Sequence, residues 1–82
     1  MLIQVFGPRC ARCDALHEVV REAAALAAEG ATIQRVRNMP EIMACDVLMV
    51  PALAIDGQVL CAGRVPDLEE VKRLIRAAGD RA

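Results

Sequence analysis

The 82-residue chain has no tryptophan, no tyrosine and a single phenylalanine, Phe6. The aromatic platforms on which single-stranded nucleic acids stack are therefore missing. Excess charge is missing as well: ten Lys and Arg stand against eleven Asp and Glu, a net charge of −1, which offers a phosphate backbone no basic footprint. Nucleic acid drops out as a partner. The longest apolar run, Val47 to Ile55, is broken by Pro51 and falls far short of the roughly 20 residues of a membrane span, so no membrane role is expected. Ahead of the first strand-like run there is no basic segment, apolar stretch or small-residue cleavage site, and the expected address is the cytoplasm. A chain this short buries only roughly 60 to 65% of its unfolded surface. That leaves room for one domain over residues 1–82 and none for a second lobe or a large cleft.

What is present is a clear succession of patterns. Residues 2–6, Leu-Ile-Gln-Val-Phe, form an apolar run closed by Gly7-Pro8 and read as a buried strand. From Cys10 the period becomes helical. Leu16, Val19, Val20, Ala23, Leu26 and Ala27 share one face, with Asp14, Glu18, Arg21, Glu22 and Glu29 opposite, which predicts a helix from about Ala11 to Glu29 stopped by Gly30. Ala31 to Val36 reads as a second strand, and strand-helix-strand over this span implies parallel pairing through a right-handed crossover. Asn38-Met39-Pro40-Glu41 is a helix start with Asn38 as cap, predicting a short helix through Ala44 or Cys45. Pro51 then opens the strand Ala52–Ile55, Asp56-Gly57 is a hairpin turn, and Gln58–Cys61 returns antiparallel. Behind Pro66, Asp67-Leu68-Glu69-Glu70 has the capping-box pattern, and Leu68, Val71, Leu74, Ile75 and Ala78 line a last helix stopped by Gly79. The order is βαβαββα, an α/β fold with a mixed four-stranded sheet flanked by helices.

Four cysteines carry the chemistry. A reducing compartment does not favour a static disulfide framework, so redox exchange and metal binding compete. Cys10-Ala11-Arg12-Cys13 lies where the first strand gives way to the first helix. Unpaired N–H groups, the positive end of the dipole and the flanking Arg9 and Arg12 all favour a thiolate at Cys10. Such settings lower a cysteine pKa from about 8.5 to roughly 7 or below, and Asp14 opposes this a little. Cys13, one turn further in, is within disulfide reach and more buried. An exposed attacking thiol with a resolving neighbour is what thiol-disulfide exchange requires.

Two other readings of the pair compete with this one. As a staple it is poorly placed, since a four-residue loop removes only about 2 kcal/mol of chain entropy against about 3 kcal/mol for fifteen residues. The rival from another class is a soft-metal or metalloid carrier holding an ion between Cys10 and Cys13, with Cys61 completing the set. A second CxxC is absent and His17 is the one histidine. Heavy-metal-binding domains with a similar loop end on a strand, whereas this pattern ends on a capped helix.

Three segments now stand out: Val5-Phe6-Gly7-Pro8-Arg9-Cys10-Ala11-Arg12-Cys13, Met49-Val50-Pro51-Ala52-Leu53-Ala54-Ile55-Asp56-Gly57, and Gly63-Arg64-Val65-Pro66. Together they resemble the small thioredoxin-like redox-active disulfide proteins of the thioredoxin and glutaredoxin superfamily, over nearly the whole chain. The resemblance implies a minimal thioredoxin-like fold that exchanges the Cys10-Cys13 dithiol and disulfide with protein disulfides. It implies that Pro51 is a cis proline facing the CxxC, and that the backbone of Val50 is left to pair with a client. Proline suits that place because its cis bond is accessible and, lacking an N–H, it fits the first position of a strand. The resemblance also implies a flavoprotein disulfide reductase as donor and no bound cofactor. Glutathione is a second candidate partner, with only Gly63 standing where a Gly-Gly pair would help to hold it. Larger thioredoxins carry Trp before the first cysteine and often a buried Asp six residues before it. Arg9 and Gln4 stand there in this chain, and Gln4 takes no proton.

The remaining candidates have plainer expectations. Cys45 and Cys61 both approach the site end of the sheet, and each is expected as a small buried hydrophobe. His17 is expected on a solvated helix face, and Met39, Met43 and Met49 as core fillers near the second helix.

Overall fold

The computed structural model describes residues 1–80. Its elements are β1 (Leu2–Phe6), α1 (Ala11–Ala27), β2 (Thr32–Val36), α2 (Met39–Ala44), β3 (Ala52–Ile55), β4 (Gln58–Ala62) and α3 (Leu68–Asp80). The strands form one sheet in the order β2-β1-β3-β4. β1 and β2 run parallel, with Leu2 opposite Thr32 and Phe6 opposite Val36. β3 runs antiparallel to both β1 and β4. This is the βαβαββα order of a minimal thioredoxin-like fold. Among the described residues no helix is long and apolar enough to cross a membrane.

Alternation along β1 divides the core in two. Ile3 and Val5 point to the face covered by α1 and α3, where they meet Leu16, Val20, Leu53, Ile55, Val71 and Ile75. Phe6 points to the other face and packs with Val36, Ile42, Val47, Ala52 and Ala54 beneath α2. All four residues of β3 are buried, as a central strand covered on both faces requires. Each large side chain so buried contributes about 1.5–3 kcal/mol, and truncating Leu53 to Ala is expected to cost about 2–5 kcal/mol.

Element ends depart from expectation at both glycines. α1 stops at Ala27, two residues early, because Ala28 is already non-helical while its N–H still reaches the Ala24 carbonyl at 2.8 Å. Gly30, at φ +87°, instead serves the turn into β2, where the N–H of Ala31 donates to Ala28 at 3.0 Å. Gly79 does not stop α3, which continues to Asp80. A glycine in a helix's last turn costs only about 1 kcal/mol, too little to end it. The capping box is half formed. Asp67 accepts the N–H of Glu70 at 2.8 Å, but the Glu70 carboxylate turns to Arg64 instead of back to the cap.

β4 also runs one residue longer than expected and carries an irregularity. Leu53 pairs with Cys61 and Ala54 with Val59, so Leu60 is the extra residue of a bulge. Its effect is to turn both Leu60 and Cys61 toward the α1–α3 core.

The methionine expectation is overturned. Met39, Met43 and Met49 are 44%, 67% and 60% exposed. The six residues of α2 leave room for one fully buried position, Ile42, so its neighbours remain at the surface. Cys45, which follows that helix, is exposed for the same reason, against the expectation of burial.

Candidate active site

The register of the sheet brings the site together. Phe6 at the end of β1 pairs with Ala52 at the start of β3, and Ala52 pairs with Ala62 at the end of β4. The segments beyond these residues, Gly7–Cys10, Pro51 and Gly63, therefore gather at one end of the sheet. In the first, the N–H of Gly7 continues the parallel ladder by donating to Val36 at 2.9 Å. The chain then turns over the end of the sheet and enters α1 at Cys10.

Cys10 is the N-cap of α1, with extended backbone angles, and its Sγ accepts the backbone N–H of Cys13 at 3.1 Å. A sulfur thus takes the place of the oxygen that usually satisfies a helix's first free donors. The two cysteines are joined by a disulfide with their Cα atoms 5.2 Å apart. Cys10 is exposed and Cys13 fully buried, so the sulfurs differ in access as well as in position. Gly7 permits this packing. A Cβ at residue 7 would overlap Cys13 Sγ and stand 2.9 Å from Cys13 Cβ, which only glycine avoids.

Arg12, in the middle of the motif, donates from Nη2 to the carbonyl of Gly63 at 2.7 Å. The N–H of Gly63 in turn donates to the carbonyl of Pro51 at 2.8 Å. Those two bonds connect the first turn of α1 to the loop after β4 and to the residue ahead of β3. The Val50–Pro51 peptide bond is cis, Pro51 is fully buried and Val50 half-buried. Met49 lies over Gly63, close enough that a Cβ there would come within 2.7 Å of Met49 Cε. Arg9 is exposed beside Cys10.

Other candidates fall outside this group. Gln4 donates its side-chain amide to Gln34 across the β1–β2 pair at 2.9 Å, on the sheet face away from α1. Cys61 is 7% exposed within the α1–α3 core, and its thiol donates to the Arg64 carbonyl at 3.9 Å. Burial pushes that thiol pKa up, ahead of the opposing field of Arg64. His17 is half-buried rather than solvated, and its pKa is lowered by burial first and by Arg35 second. Among the described residues no three Cys, His, Asp or Glu side chains come together to hold a metal ion, so the carrier reading with Cys10, Cys13 and Cys61 gains no support.

Reading by motif overlooks the close approaches of Gly7 and Gly63 and the side chain of Arg35. Of these, Arg35 left the clearest trace in the sequence, as a charge placed where the alternation of β2 asks for an apolar residue.

An exposed sulfur capping a helix, joined to a buried one beneath, supports reversible dithiol-disulfide chemistry. Similarity to known proteins agrees. A family model described as a thioredoxin domain matches residues 1–76. The chain is 33% identical over 75 residues to a thioredoxin of Methanothermobacter thermautotrophicus, covering 92% of this chain and 97% of that protein. It is 29% identical over 77 residues to a thioredoxin of Methanocaldococcus jannaschii, covering 94% of this chain and 88% of the relative. The chain belongs to the thioredoxin family, as a small thiol-disulfide oxidoreductase.

Proposed function

We propose that Cys10 attacks client disulfides and Cys13 resolves the product. The observation carrying this assignment is the bond from the Cys13 N–H to Cys10 Sγ, on an exposed sulfur at the N-terminus of α1. The same donor and the helix end favour negative charge on that sulfur once it is reduced. In the first step the Cys10 thiolate forms a mixed disulfide with one client sulfur and expels the other as a thiolate, which takes a proton. The Cys13 thiolate then attacks Cys10, releasing the second client thiol and leaving the Cys10-Cys13 disulfide. Two electrons have passed to the client.

Arg9 and Arg12 supply positive charge beside the reacting sulfurs. Val50 and Pro51 receive the client, with the Val50 backbone pairing to an extended segment next to the scissile disulfide. Protein disulfides are the clients and a disulfide reductase is the donor. A flavoprotein reductase is our first choice for that donor, with glutathione the second. The cycle needs no bound cofactor, and we place it in the cytoplasm.

Cysteine variants test the assignment. Cys10→Ser should form no covalent client complex, whereas Cys13→Ser should attack and stall as a mixed disulfide seen on non-reducing electrophoresis. Turnover of a protein disulfide by Cys13→Ser at the wild-type rate would overturn it. The potential of the couple gives the direction of flow: near about −270 mV it is a reductant, near about −120 mV an oxidant.

A further inference from the structure

β2 is an edge strand, and its residues Ile33 and Arg35 lie opposite Ile3 and Val5, on the face covered by α1. A position on that face suits an aliphatic residue, yet it holds an arginine whose side chain is only 8% exposed. Its Nη2 donates to the Pro8 carbonyl at 3.3 Å and to Asp14 Oδ1 at 3.0 Å. Pro8 lies just before the motif and Asp14 just after it. One guanidinium therefore grips the Cys10-Cys13 segment from both sides. The grip is costly as a purely structural device, because Arg35 Nε is buried with no hydrogen-bond partner among the described residues. An aliphatic residue would fill the site without that cost.

The electrostatic consequence concerns Cys10. Asp14 stands in the first turn of α1, the one acidic residue there, and its charge opposes formation of a thiolate at the helix N-terminus. Arg35 pairs with that carboxylate and draws it toward Pro8. The charge of Arg35 is felt along α1, since it is the second cause, after burial, of the lowered pKa of His17 one turn further on.

We infer that Arg35 is a positioning residue of the redox site: it fixes the Pro8–Asp14 segment and offsets the charge of Asp14, the one acidic residue in the turn where the attacking thiolate forms. This rests on the reading of Cys10 as the attacking thiol. The other charged groups on the segments meeting here are Arg9 and Arg12 on the loop and the first turn of α1, Glu18, Arg21 and Glu22 further along α1 with the titratable His17 among them, and Arg37 after β2. Arg64 and Glu70, beyond β4, are paired with each other, and β1 and β3 carry no charge.

The experiment is the pH profile of Cys10 alkylation in the reduced protein, followed by peptide mass spectrometry so that Cys10, Cys13 and the exposed Cys45 are read separately. Arg35→Met should raise the midpoint by about half a pH unit or more, because Asp14 is left uncompensated. Arg35→Lys, which keeps the charge, should recover most of that shift. Asp14→Asn should move the midpoint down. A wild-type midpoint in Arg35→Met, or an upward shift in Asp14→Asn, would overturn the proposal. Should Arg35→Met fail to fold, Arg35→Gln, which keeps a polar side chain at the site without the charge, takes its place, with the same upward shift expected and a wild-type midpoint overturning the proposal. Cys10→Ser keeps the two readings apart: if it abolishes exchange while the Arg35 and Asp14 profiles match wild type, the attacking role stands and the positioning role falls.

Discussion

The Arg12 guanidinium donates to the Gly63 carbonyl across 2.7 Å, tying the first turn of the cysteine-bearing helix to the loop that hydrogen-bonds Pro51. The cysteine pair and the Pro51 backbone, proposed to receive the client, are thus held in register by a side chain inside the motif itself. Arg12→Ala should separate them. The lost bond is exposed and contributes about 0.5–1.5 kcal/mol, so Tm should fall by no more than about 12 °C. Function should suffer more: kcat/KM for a protein disulfide should drop about tenfold, while reaction with a small aromatic disulfide changes less than about threefold. Equal losses with both substrates would assign Arg12 to the sulfur and not to the client surface.

Gly7 supports the same site from below. Replacing it with Ala pushes a methyl into Cys13 Sγ and Cβ, an overpacking that should cost about 1–3 kcal/mol. Gly30→Ala is the comparison, because there φ is +87° but no described residue lies within 4 Å of the new Cβ, and the cost is backbone strain of about 1–2 kcal/mol. Urea unfolding measures both. Only Gly7→Ala should also slow closure of the Cys10-Cys13 disulfide, followed by quenched alkylation.

These two glycines show what was legible in the sequence and what was not. The change of period at Cys10, the Asp56-Gly57 turn and the Asn38 and Asp67 caps are local signals, and each element they announce is present. Proline at the head of β3 was readable for the same reason. Coverage is not local. Whether Met43 or Cys45 meets a neighbour depends on how far a six-residue helix extends over the sheet, and periodicity is silent on that. The bulge at Leu60 arises from pairing between strands, and the contact between Gly7 and Cys13 from the angle at which α1 leaves the sheet. Arg35 was not singled out, because its partners lie 27 and 21 residues away in the chain and only the folded register brings them together.

The Arg64–Glu70 pair predicts a specific acid response. Both Nη atoms of Arg64 bond the Glu70 carboxylate, one of them at 3.0 Å to Oε1, and this hydrogen bonding is the main reason the Glu70 pKa lies below its ordinary value of 4.5. A carboxyl with a depressed folded pKa binds fewer protons in the folded state. Its stabilisation is complete above the unfolded value and is lost as pH falls through the folded one. Arg64→Met should therefore melt below wild type at pH 7, and the two curves should converge on acidification past the glutamate range. Added salt should narrow the gap at pH 7, because the pair is exposed. A gap that persists unchanged at low pH would mean that Arg64 acts through packing.

Cys61 separates the exchange reading from the three-thiol metal reading most directly. Its thiol lies in the core with Leu53, Ile55, Val71 and Ile75, and burial raises its pKa, so near neutral pH it is a protonated, apolar filler. Cys61→Ala should cost about 1 kcal/mol for a small cavity, and Cys61→Ser about 1–3 kcal/mol because a hydroxyl enters an apolar cluster. Neither should change exchange with a protein disulfide by more than about threefold, since thiol-disulfide exchange needs only the Cys10 and Cys13 sulfurs. Zinc titration of the reduced protein supplies the opposing arm. Stoichiometric binding lost in Cys61→Ser, together with an exchange defect as complete as that of Cys10→Ser, would place a third thiolate at the site and overturn the core assignment. Unfolding curves taken alongside make the outcome readable, because a variant that is destabilised yet still exchanges at the wild-type rate is a core variant.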